Sequence, residues 1–164
     1  MSDLRFNPVE MKACGYGPQA IAEAERAVRA SGKALTLIAE IEAVFPAIPR
    51  PKITRSVARG YDDEWNLSEE RIRELAAQDP EVDWRDVPDE AITACQEYFA
   101  FSDAEGFRFY LPAYMRHYLR EFPYSGWPGV DSAFSQTEKL RHLTQIERAC
   151  VDRFIALRKE YETI

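Results

Sequence analysis

The chain has 164 residues, 21 of them Lys or Arg and 28 Asp or Glu, so its formal net charge is −7. At 46% apolar types it is too hydrophobic for a disordered chain. A pI near 5.0 argues against general nucleic-acid or anionic-membrane binding, which needs clustered Lys and Arg.

A single chain of this size buries about two-thirds of its unfolded surface, enough for a real core. The start, Met1 to Pro8, has no basic stretch followed by an apolar run, so no secretory signal is expected. The most apolar stretch, Ala34 to Ile48, is interrupted by Glu40, Glu42 and Pro46, and no membrane span is expected. Cys14, Cys95 and Cys150 are odd in number and far apart, which fits reduced thiols in a cytoplasmic protein.

The elements follow in order. Pro18 opens a helix over Gln19–Ala30, and Ser31-Gly32 is expected to stop it. A second helix over Lys33–Phe45 carries Leu37, Ile38, Ile41, Val44 and Phe45 on one face. Three prolines between 46 and 51 make an extended connector. Residues 56–65 read as a short helix and a turn. Ser68 is an N-cap with Glu69 and Glu70 in the first turn, opening a helix that ends near Gln78. A connector from Pro80 to Val87 contains Trp84.

Pro88 starts a helix with Ile92, Cys95 and Phe99 on one face. Ser102-Asp103-Ala104-Glu105 reads as a capping box. It opens a helix through Tyr110, and Pro112 kinks this helix or starts a new one reaching Phe122. Pro123 to Ser135 reads as a long loop. Thr144-x-x-Glu147 is a second capping box, starting a last helix with Cys150, Phe154, Leu157 and Tyr161 on one side.

The expected fold is all-α, a single compact domain of six or seven helices joined by proline-rich connectors. A short two-stranded piece near Ile53 or over 127–134 stays open. Residues 1–30 are expected as an N-terminal helical extension and 31–164 as the helical domain.

The signals for chemistry are thin. His117 and His142 lie 25 residues apart without metal-ligand spacing, and no metal or other cofactor is expected. Gly15-Tyr16-Gly17-Pro18 lacks the third glycine and the lysine of a phosphate loop. The one enzyme lead is a set of carboxylates, Asp62, Glu64, Asp103 and Glu105, with His117. It requires those groups to converge on one pocket, as in a small carboxylate-based enzyme or metal-binding hydrolase.

Charge and aromatic content are more informative. Residues 60–110 carry 4 basic and 15 acidic side chains, a balance of −11, against +3 before and +1 after. Eleven of the 20 aromatic residues fall between Tyr98 and Trp127. Most sit at helical spacing and read as core, but Phe107, Phe109 and Tyr110 cover more than one helix face. Some of Tyr110, Tyr114, Tyr124 and Trp127 are therefore expected at the surface beside arginines, the residue types of binding hot spots.

The run from Phe101 to Met115, with Asp103-Ala104-Glu105-Gly106-Phe107-Arg108-Phe109-Tyr110-Leu111-Pro112-Ala113-Tyr114-Met115 at its centre, resembles the signature of a bacterial family of unknown function. Pro49–Thr54, Ala58–Trp65 and Cys150–Ile155 are similar to it as well, and the likeness covers roughly residues 35–158. The resemblance implies a mostly helical fold and no catalytic residue.

The expected function is a small acidic protein-interaction domain, in its concrete form an immunity or antagonist protein that docks a basic protein partner. Its candidate binding residues are Arg59, Tyr61, Asp62, Asp63, Glu64, Trp65, Asp103, Glu105, Arg108, Tyr110, Tyr114, Tyr124 and Trp127. A homo-oligomer built on the aromatic loop is a further expectation.

Overall fold

The computed structural model describes residues 7–126 and 129–162. Asn7 caps the first helix, α1 (Pro8–Ala13), by accepting from the Val9 amide at 2.9 Å. Helix α2 (Pro18–Val44) follows, with proline in its first turn as the sequence indicates. It does not stop at Ser31-Gly32. The Ser31 hydroxyl donates to the Phe122 carbonyl at 3.1 Å, and Gly32 faces open space. One glycine costs a helix about 1 kcal/mol, and the buried stripe Ala24, Ala27, Ala30, Ala34, Leu37 and Ile41 outweighs that. The boundary expected at residue 30 falls inside this helix.

Helices α3 (Arg55–Glu64) and α4 (Glu69–Ala76) pack on each other through Val57, Ile72 and Leu75, with Tyr61 and Leu67 at the edge. Ser68 caps α4 at 3.1 Å from the Arg71 amide, as its position in the sequence implies. A single 3₁₀ turn, Trp84–Asp86, places Trp84 fully inside the core. The helix expected from Pro88 through Phe99 is broken at Cys95, whose φ of −136° and ψ of 66° are not helical. Two short helices result, α5 (Asp89–Ala94) and α6 (Tyr98–Phe101).

Helix α7 (Ala104–Arg120) is the centre of the molecule. It packs against α2, α5, α8 and the 3₁₀ turn, and eleven of its 17 residues are buried. A helix apolar on every side belongs in an interior. Pro112 sits inside this helix without ending it. The cap is also shifted by one residue from expectation. Asp103, not Ser102, accepts from the Gly106 amide at 2.7 Å, while the Ser102 hydroxyl donates to the Phe99 carbonyl.

The region read as a long loop contains α8 (Gly129–Phe134), and α9 (Thr137–Leu140) follows it. Helix α10 (Gln145–Tyr161) starts with the full capping box of Thr144 and Glu147 and lies along α2.

The described residues thus form one all-α domain of ten helices and no strand, five of the helices having seven or more residues. The count exceeds the expected six or seven because α1, α5, α6, α8 and α9 are helices of only four to six residues. Among the described residues, no helix is long and apolar enough to cross a membrane.

Candidate functional site

Three of the segments singled out in the sequence meet around α3. Tyr98 donates its hydroxyl to the Ile53 carbonyl at 2.7 Å, and the Tyr114 hydroxyl donates to the Cys95 carbonyl. Gly106 lies so close to the Tyr98 hydroxyl and the Ile53 carbonyl that a side chain there has no room. Beside them Arg55, at the start of α3, reaches Glu81 at 2.7 Å and Asp79 at 3.4 Å. Asp79 also accepts from the Ser56 amide and hydroxyl, both at 2.8 Å. These groups are nearly all buried, with Glu81 Oε2, Arg55 Nε and Thr54 Oγ1 lacking a hydrogen-bond partner.

Burial pushes the phenols of Tyr98, Tyr110 and Tyr114 above their usual range, and the Cys95 thiol up to about 11. All four stay protonated at neutral pH, so the Tyr98 and Tyr114 hydroxyls act as hydrogen-bond donors and the buried Cys95 stays a thiol. This centre fastens α3 to α6, α7 and the connector after α4. Arg55, Asp79 and Glu81 carry no motif and are not among the residues the sequence singles out.

The candidate residues divide sharply. Of the four aromatic residues of which some are expected at the surface, Tyr110 and Tyr114 belong to the core, 1% and 2% exposed, which removes them from the binding candidates. Their rings join Tyr98, Phe99 and Phe109 in a mostly tilted and edge-to-face cluster with centroids 4.4 to 6.2 Å apart. Arg108 pairs with the buried Glu147 at 3.0 Å. Asp103 is occupied as the α7 cap, and Glu105 is exposed. Tyr124 is 47% exposed. Trp127 lies outside the described residues.

Three members of the carboxylate set are engaged with other partners. Glu64 is held by Arg71 at 2.7 Å, His117 bonds Asp89 at 2.9 Å, and Asp62 is exposed. Among the described residues, no hydrogen bond or ion pair joins any two of Asp62, Glu64, Asp103, Glu105 and His117. No group of three His, Cys, Asp or Glu side chains suited to a metal occurs among those residues either.

The remaining candidates gather at the end of α3. Arg59 donates to the Ala94 carbonyl, tying this helix to α5, and Tyr61 packs half-buried against α4. Asp62 and Asp63 are exposed and, with Glu70 on α4, have no ion-pair partner among the described residues. The Arg71 guanidinium holds the Glu64 carboxyl below the usual carboxylate range and also reaches Glu74 at 3.2 Å.

Directly after Glu64, Trp65 is 89% exposed. Its φ of 60° and ψ of −53°, with the Asn66 amide donating to the Glu64 carbonyl at 2.6 Å, form a γ-turn of the strained kind. A non-glycine residue held there costs on the order of 1–3 kcal/mol. A large apolar side chain is thus displayed on a strained turn that follows Asp62 and Asp63, two exposed acids without an ion-pair partner among the described residues.

A model of a family of unknown function, DUF6714, matches residues 33–163. The chain belongs to this family. The match begins within α2 and takes in both the buried Arg55 centre and the Trp65 corner. No curated protein and no solved structure matches the chain.

Proposed function

We propose that this protein is an interaction domain, and that the corner formed by the end of α3 and the start of α4 docks a basic protein partner. The observation that carries this reading is Trp65, 89% exposed directly after the helix end that carries Asp62 and Asp63; these two acids, and Glu70 at the start of α4, have no cationic partner among the described residues. An exposed tryptophan supplies contact area at an interface, and unbalanced acids raise the rate at which a positive surface finds it. In its sharpest form the reading is antagonism: an acidic protein covering the positive cleft of a basic enzyme, as an immunity protein does.

The test compares capture by the tagged wild type with capture by the Asp62→Asn, Asp63→Asn, Glu70→Gln triple variant, from the native host at 50 and 500 mM salt. All three positions are exposed, so the variant is expected to fold as the wild type does, which circular dichroism checks. The reading expects a basic protein that the wild type retains at low salt and that both the variant and high salt lose. Identical captured proteins for both forms at both salt concentrations would overturn it.

A further inference from the structure

Within the core, guanidinium groups cover the face of one indole, whose Nε1 has no hydrogen-bond partner. Trp84 is enclosed by two arginines, with the guanidinium carbons of Arg85 and Arg116 lying 4.7 and 5.1 Å from its ring centroid. Each of those guanidiniums also has an acidic partner, Asp83 at 3.2 Å for Arg85 and Glu42 at 3.4 Å for Arg116. The unit is an indole face, a guanidinium over it, and a carboxylate paired with that guanidinium.

Trp65 offers the indole face, with two carboxylates within three residues of it in the chain, and lacks the guanidinium. Its ring is exposed, and among the described residues no Lys or Arg lies over it. Asp62, one helical turn earlier, and Asp63 bring two carboxylates with no ion-pair partner. The cation nearest in sequence after the turn, Arg71, is already engaged by Glu64 and Glu74.

We propose that Trp65 is the anchor for an arginine side chain of the basic partner, its guanidinium stacking on the indole while Asp62 or Asp63 accepts its N–H groups. This rests on the docking reading above and names the group that the surface takes. The complementarity is specific to arginine. Its planar cation lies flat on an aromatic face and still presents N–H donors in the plane to carboxylates, whereas an ammonium is a compact and strongly hydrated point charge.

The test uses defined peptides: octa-arginine, octa-lysine and the neutral isostere octa-citrulline, titrated calorimetrically at 50 mM salt. The wild type is expected to bind octa-arginine several-fold more tightly than octa-lysine, and octa-citrulline hardly at all. Trp65→Ala is expected to weaken octa-arginine at least tenfold and to erase the preference for arginine over lysine, and Trp65→Phe to keep part of it. The Asp62→Asn, Asp63→Asn pair is expected to weaken both cationic peptides together.

If Trp65→Ala binds octa-arginine as the wild type does, the anchor is wrong. The acidic docking reading then still stands, provided that neutralising the two aspartates weakens binding. If the aspartate variant binds both cationic peptides as the wild type does, that reading fails as well. Equal affinity for octa-citrulline and octa-arginine, or no binding of either cationic peptide, overturns both.

Discussion

Arg108 on α7 and Glu147 on α10 are joined through the guanidinium Nε and Nη2 at 3.0 to 3.3 Å, and the Glu147 side chain is only 1% exposed. The same carboxylate accepts from the Thr144 amide at 3.1 Å, so one acid caps α10 and ties it to the central helix. Removing one member of a buried pair strands the other, a loss of roughly 3–5 kcal/mol. Arg108 is 31% exposed, which moderates the cost. Glu147→Ala is expected to lose about 3 kcal/mol in urea unfolding with an unchanged slope. Glu147→Gln, which keeps a side-chain acceptor for the cap, is expected to lose less. Equal stability of the alanine variant and the wild type would show that the pair is not holding these helices together.

Two glycines in helices should respond in opposite directions to alanine. Gly32 lies within α2 with nothing within 4 Å of the place a β-methyl would take, so Gly32→Ala is expected to stabilise by about 0.5–1 kcal/mol. At Gly106 the added carbon overlaps the Tyr98 hydroxyl and comes within 3.1 Å of the Ile53 carbonyl. Gly106→Ala is expected to destabilise by about 1–3 kcal/mol, because α7 and the segment before α3 must separate. Urea midpoints for both variants check the contrast.

The same two glycines mark where the sequence is legible and where it is not. Capping is local chemistry, and Pro18, Ser68 and the Thr144–Glu147 box all start helices where their spacing implies. The continuity of α2 through Ser31-Gly32 is decided elsewhere, by packing along α7 and α10, and no local signal records it. Arg55 and Glu81 are 26 residues apart, the latter in a connector without periodicity, so their pairing had no pattern to betray it. The burial of both Tyr110 and Tyr114 has no local signal, because a helix usually hides one face whereas eleven of the 17 residues of α7 are buried. The segment 59–65 did stand out as a candidate, but the γ-turn that exposes Trp65 is a backbone feature that composition does not reveal.

The cysteines give a chemical check on the closed core. Burial pushes the Cys95 and Cys150 thiols up to about 11, and both are 3% exposed or less, while Cys14 is exposed. At pH 8 a water-soluble thiol reagent is expected to titrate one equivalent in the native protein, at Cys14, and all three cysteines after denaturation. Rapid native labelling of Cys150 would mean that the contact between α10 and its neighbours opens readily.

The most direct test of a docking corner at the end of α3 is hydroxyl-radical footprinting of the complex with the captured basic partner, read at individual residues by mass spectrometry. Trp65, almost fully exposed in the free protein, should oxidise rapidly alone and be protected several-fold when the partner binds, while the buried Trp84 stays unreactive in both states. Trp65 oxidising at the same rate with and without a bound partner, with protection on another face, would contradict the account.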